Sequence, residues 1–168
     1  MRYYLSLGSN LGDRSRHLSE ARGLLQKAGV KIIKESSIYE TEPVDFTDQP
    51  WFYNQVLEVE TRLNPMAMLA LVKDIELKMK RVPSVDKGPR TIDIDILLAE
   101  KNVVQTQKLI IPHPRLSLRN FVMIPLAEIA PDFIHPLLHQ PISALVQQTG
   151  DQAEVRKVVE PSTAQMAI

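Results

Sequence analysis

Residues 3–7 carry the β-rich pattern of a strand, and Gly8-Ser9-Asn10-Leu11-Gly12-Asp13 then supplies turn residues and a helix cap. Leu18, Ala21, Leu25 and Ala28 recur at three-to-four spacing, which predicts an amphipathic helix over residues 14–28, ended by Gly29. Residues 30–39 read as a second strand. Two prolines and four acidic side chains interrupt the periodicity over residues 40–50, a loop, before residues 53–61 resume the alternation of a strand. Asn64-Pro65 opens a second helix in which Met68, Val72, Ile75 and Met79 share one face. A polar loop over residues 81–89 leads into a strand at residues 91–98.

The order βαββαβ predicts an antiparallel sheet with two helices packed on one face, the ferredoxin-like α+β arrangement, with additional C-terminal elements. Those elements are a short strand near Val103, the proline-rich stretch Ile111-Pro112-His113-Pro114-Arg115, and helical segments at residues 123–129 and 142–148. Residues 1–150 read as a single domain and residues 151–168 as a weakly packed tail. A chain of 168 residues, 44% hydrophobic and 24% charged, is long enough to bury a core of its own.

Twenty basic and twenty acidic side chains cancel, so no long-range field favours nucleic acid or an anionic membrane, and any polyanion site must be local. The absence of cysteine excludes disulfides and thiolate chemistry. No run approaches the roughly 18 apolar residues of a membrane span, and the N-terminus lacks the apolar stretch of a signal peptide. The expectation is a cytoplasmic protein with neither membrane nor nucleic-acid partners.

In Thr91-Ile92-Asp93-Ile94-Asp95-Ile96-Leu97-Leu98 the isoleucines and the aspartates point to opposite faces of a strand. The acids share a face with Cα atoms roughly 7 Å apart, close enough to converge on two Mg²⁺ ions about 4 Å apart. For an arbitrary pair of this spacing a solvated strand face is the commoner explanation. Aspartate is a poor strand former, however, and Gly88-Pro89-Arg90 delivers beside the acids a guanidinium suited to bidentate phosphate binding. Together these features point to Mg²⁺ and a nucleotide triphosphate.

Other candidates are weaker alone. Lys78, Lys80, Arg81 and Lys87 add cations, although basic residues favour helix C-termini in any case. His113, held between prolines with Arg115 and Arg119 close behind, can face polyphosphate, and Glu76 can reach a ribose hydroxyl; both residue types are also ordinary at surfaces. Phe52 can stack on a flat heterocycle while Asn54 pairs with its edge, though core packing explains aromatics equally well. Gly8-Ser9-Asn10-Leu11-Gly12 lacks the lysine and spacing of a phosphate loop and reads as a turn.

Taken together, "YLSLGSNLGDR", "YETEP", "DQPWFYNQV", "GPRTIDIDILL" and "IPHPRL" followed by Arg119-Asn120-Phe121 make the chain resemble the 6-hydroxymethyl-7,8-dihydropterin pyrophosphokinases of folate biosynthesis, over roughly residues 2–136. The resemblance implies that the pterin hydroxymethyl oxygen attacks the β-phosphorus of ATP, giving the pterin diphosphate and AMP. It implies that Asp93 and Asp95 ligate two Mg²⁺ ions, that Asp95 helps accept the hydroxyl proton, and that Arg81 and Arg90 act on the transferring group. Thr41, Glu42, Val44, Phe52, Asn54 and Phe121 would bind the pterin. Lys73, Glu76, Arg81, Arg90, Ile96, Lys108, His113 and Arg119 would bind ATP, the co-substrate. The expected partners are these two small molecules, and the expected state is a monomer. Lys87 stands where this family frequently has tryptophan, and Pro114 where it has an aromatic.

Two other functions share parts of this pattern. A nucleotidyltransferase or cyclase would keep the fold and metals, but the Phe52, Asn54 and Phe121 set predicts a pterin acceptor. A ligand-binding module without chemistry would leave the isoleucine–aspartate alternation and Arg90 unexplained.

Overall fold

The structure is a computed structural model, which describes residues 1–43, 48–80 and 91–159. The first strand, β1 (Arg2–Ser9), is followed by α1 (Arg14–Lys27), whose N-terminus is capped by Asp13 accepting from the Arg16 amide. The stretch expected as one strand over residues 30–39 divides into β2 (Lys31–Glu35) and β3 (Tyr39–Thr41). Ser36 causes the break: its hydroxyl donates to the Ser37 carbonyl and accepts the Val56 amide, so the side chain takes over ladder bonding. Next come β4 (Phe52–Glu60), α2 (Pro65–Met79) and β5 (Asp93–Ala99). Asn64 caps α2, and the four predicted apolar positions Met68, Val72, Ile75 and Met79 are its buried face.

The sheet runs in the order β5-β1-β4-β3 and continues to an edge strand, β8 (Val155–Lys157), while β2 also pairs with β4; all these pairings are antiparallel. A separate ribbon joins β6 (Val104–Gln105) to β7 (Ile110–Ile111). α1 and α2 cover one face, burying Tyr3, Leu5, Leu7, Leu57, Val59, Ile94 and Ile96. The opposite face is covered at one end by α3 (Asn120–Ile129) and α4 (Ile142–Leu145), over Tyr4, Val56, Leu97 and Leu98. A bulge in β5 shifts the pairing from Leu5–Ile96 to Tyr4–Leu98, turning both Leu97 and Leu98 to this second core. The structure is thus an α+β antiparallel sheet with α1 and α2 on one face, as expected, and with the additional C-terminal helices packed on the other.

Residues 151–159, read from the sequence as part of a weakly packed tail, make specific contacts while staying largely exposed. Asp151 Oδ2 accepts the Asn120 amide at 2.9 Å, placing a carboxylate at the N-terminus of α3, and Val155–Lys157 pairs with β3. Residues 160–168 lie outside the described residues.

Candidate active site

Strand register assembles the site. Asp93 on β5 pairs with Gly8 on β1, Gly8 pairs with Asn54 on β4, and Asn54 pairs with Tyr39 on β3. Directly cross-strand residues project to the same side, so this row lies on the face that α3 covers at its other end. In the neighbouring rows Asp95 pairs with Ser6, and Phe52 with Thr41. The two acids, Asn54, Phe52 and Thr41 therefore share one face. Phe121 reaches the same face from the first turn of α3, packing partly buried against the second core.

Gly8 belongs to β1 and not to the turn expected there, and its lack of a side chain is structural. A Cβ on Gly8 would lie 2.6 Å from Asn54 Oδ1 and 3.5 Å from Phe52 Cδ1, so the amide and the ring lie directly above the glycine. Asn54 donates from Nδ2 to Thr41 Oγ1 at 2.6 Å, which fixes the amide plane and leaves Oδ1 over Gly8. Asn10, in the loop after β1, donates to Gln49 Oε1 at 2.8 Å and the Pro50 carbonyl at 3.0 Å, anchoring the chain that leads into Phe52.

Three carboxylates converge on the β5 side. Glu76 Oε2 on α2 accepts the Ile94 amide at 2.9 Å, between the two aspartates, and Lys73 Nζ lies 3.4 Å from Glu76 Oε1. Burial, followed by repulsion from Asp93 and Glu76, pushes the Asp95 carboxyl up to about 7, against the opposing charges of Lys73 and Arg119. Glu76 is also raised, by burial first and then by Asp93. His113, whose amide bonds the Leu97 carbonyl, is lowered by burial and by Arg119 and Arg115. Its Nδ1 accepts the Arg115 amide at 3.2 Å, which leaves the proton of the neutral ring on Nε2. Arg119 lies 5.5 Å from the centroid of the Phe121 ring, linking the cationic side of the site to the aromatic side.

Not every expected residue joins this group. Ile96 is buried in the α1–α2 core, so its side chain faces away from the acids. Lys108 is exposed in the turn between β6 and β7, and Glu42 is exposed beyond β3. Val44, Arg81 and Arg90, with Pro83 and Lys87, lie outside the described residues. Among the described residues no group of three or more His, Asp or Glu side chains has the arrangement to hold a metal alone. The donor set nonetheless fits Mg²⁺, which takes one or two carboxylates and fills its other positions with water and phosphate oxygens; a divalent cation would also relieve the repulsion at Asp95. Sequence reasoning missed Ser6 and the role of Gly8. Neither residue type advertises a site, and strand register, which no local pattern shows, brings them under the acids and Asn54.

Without metal the acid cluster is expected to cost stability. Because the Asp95 carboxyl titrates near 7 in the folded chain and near 4 when unfolded, the folded state binds the extra proton between these values. Its contribution to stability therefore falls as pH rises from about 4 to about 7 and is flat above that. Asp95→Asn removes this slope, so its melting temperature in chelator at pH 8 is expected to exceed that of the parent by a few degrees, about 2–4 °C per kcal/mol. Equal melting temperatures at pH 8 would show that the repulsion does not operate.

An acidic pair with cations nearby, beside an amide and two aromatic rings on one sheet face, is an arrangement with the chemistry to take a polyanion and a flat polar ligand. The family of 7,8-dihydro-6-hydroxymethylpterin-pyrophosphokinases (HPPK) matches residues 4–131, and the chain belongs to that family. The 2-amino-4-hydroxy-6-hydroxymethyldihydropteridine pyrophosphokinase of Bacillus subtilis is 50% identical over 127 residues, covering 75% of this chain and 76% of the relative. The folic acid synthesis protein fol1 of Schizosaccharomyces pombe is 41% identical over 150 residues, 89% of this chain. The chain spans 20% of the length of that protein and of its Pneumocystis carinii counterpart. A Plasmodium falciparum HPPK-DHPS crystal structure superimposes with a TM-score of 0.66 at 20% identity, over 88% of this chain and 43% of that one, and so shares the fold. Among the described residues no helix is long and apolar enough to cross a membrane.

Proposed function

We propose that the protein transfers pyrophosphate from ATP to 6-hydroxymethyl-7,8-dihydropterin, giving the 6-hydroxymethyl-7,8-dihydropterin diphosphate and AMP in tetrahydrofolate biosynthesis. The observation that carries this reading is the row Asp93–Gly8–Asn54, which sets an acidic pair beside an amide suited to a heterocycle edge, in a chain of this family. The strand order β5-β1-β4-β3 with antiparallel pairing supports the ferredoxin-like topology.

In this mechanism Phe52 and Phe121 bracket the pterin ring, Asn54 reads its edge through Oδ1 and its second N–H, and Thr41 orients Asn54. Glu42 and Val44 complete that side. Lys73, Glu76, Lys108, His113, Arg119 and the backbone of Ile96 contact ATP, with His113 donating from Nε2. The hydroxymethyl oxygen forms a bond to the β-phosphorus while the bond from that phosphorus to the α,β-bridging oxygen breaks, releasing AMP. Asp95 helps accept the hydroxyl proton. Two Mg²⁺ ions held by Asp93 and Asp95 would supply charge neutralisation to the phosphates. Arg81 and Arg90 stabilise charge on the transferring group, so the chain contributes positioning and electrostatics and forms no covalent intermediate. The same reading makes the protein a cytoplasmic monomer whose partners are its two substrates.

The test is direct. Purified protein with ATP, Mg²⁺ and 6-hydroxymethyl-7,8-dihydropterin is expected to form AMP and the pterin diphosphate in equal amounts, read by phosphorus NMR. Release of ADP in place of AMP would refute the proposal.

A further inference from the structure

A network of side chains that the proposed reaction does not use lies behind Thr41 and Phe52. Arg156 of β8, Glu40 of β3 and Tyr53 of β4 are direct cross-strand neighbours, as are Val155, Thr41 and Phe52 in the adjacent row. Successive residues alternate faces, so the first row faces away from the site and the second faces toward it. Arg156 donates to Glu40 Oε1 from Nε at 3.3 Å and from Nη2 at 3.0 Å. The other carboxylate oxygen, Oε2, accepts from Arg14 Nη1 at 2.9 Å, and that nitrogen also donates to the Trp51 carbonyl at 2.8 Å. Each guanidinium covers a ring: Arg14 lies 3.8 Å from the Tyr53 centroid and Arg156 4.9 Å from that of Trp51.

Glu40 immediately precedes Thr41, and Trp51 and Tyr53 flank Phe52, so the network grips the neighbours of two residues that face the site. β8 adds backbone bonding there, with the Glu42 amide donating to the Glu154 carbonyl at 3.0 Å and the Glu154 amide donating to Glu42 Oε1 at 3.2 Å. Arg156 lies beyond residue 131, where the family match ends. Its side chain is 60% exposed, and an ion pair of such exposure adds little to global stability. The network therefore affects local geometry more than the folding equilibrium.

We infer that Arg156 is a positioning residue for the pterin side of the site, bracing Thr41 and Phe52 from the far face of the sheet through Glu40 and Trp51. The inference rests on the pyrophosphokinase reading for the identity of the ligand. Arg156→Ala is expected to raise the KM for 6-hydroxymethyl-7,8-dihydropterin about five- to tenfold, while kcat and the KM for ATP stay within about twofold and melting falls by less than about 3 °C. Trp51 is the single tryptophan, so its emission reports the brace and is expected to shift when Arg156 is removed. In a double-mutant cycle, Glu40→Gln is expected to cost little more once Arg156 is alanine. An unchanged pterin KM, equal rises for both substrates, or additive costs would each overturn the inference. Calorimetric binding of 6-hydroxymethylpterin separates the two readings. If the parent forms no AMP yet Arg156→Ala weakens that binding, the brace stands and the activity falls. If AMP forms and the variant binds as the parent does, the brace alone falls.

Discussion

Asp95→Ala is expected to lower the rate of AMP formation on the order of 10³-fold or more, with the fold intact. The residue sits where burial, Asp93 and Glu76 all oppose its negative charge, an arrangement that folding alone would not favour. Its paired position on β1 is the small Ser6, so truncation leaves the strand register in place. The matching control is Asp48→Ala, at an exposed position outside the acid row, which is expected to leave turnover within about twofold. Steady-state AMP release at saturating Mg²⁺ measures both. Equal losses at the two positions would remove Asp95 from the reaction.

The second large effect is expected at Gly8. In Gly8→Ala the added methyl lies 2.6 Å from Asn54 Oδ1, closer than such atoms can approach, so the amide must swing away from Thr41. On the proposed reading the pterin then loses its edge contact with Asn54. The expected result is a KM for the pterin raised by tenfold or more with the KM for ATP changed by less than about threefold, measured by varying each substrate at saturation of the other. A pterin KM that stays at the parent value would mean that Asn54 does not contact the acceptor.

What could be read from the sequence follows from how local each signal is. The buried face of α2 was legible because Met68, Val72, Ile75 and Met79 repeat within one helix, and the acids of β5 because isoleucine and aspartate alternate within one strand. The division between β2 and β3 was hidden, since it depends on the Ser36 hydroxyl bonding to Val56 on another strand. β8 was hidden for a similar reason. It is short and largely exposed, and its place is set by pairing with β3 more than a hundred residues earlier. At the site, Asp93, Asp95 and Asn54 could be singled out by residue type. The use of Gly8 as a floor could not, because a glycine followed by Ser9 and Asn10 has the same local signature as a turn. Recognising the set as a whole depended on matching separated segments to a family, which carries information that no single segment holds.

The row from Asp93 through Gly8 to Asn54 also works as a ruler. Hydrogen-bonded strands repeat every 4.8 Å or so, so the backbone under the acids and the backbone under the amide are held about 10 Å apart by two ladder spacings. No side-chain rotamer enters that distance. A slip of either strand by one residue would send the acids or the amide to the opposite face, so there is no graded way to mis-set it. The separation between the acids and the amide is thereby tied to the spacing of the strands in the sheet itself, with β1 as the fixed spacer between them.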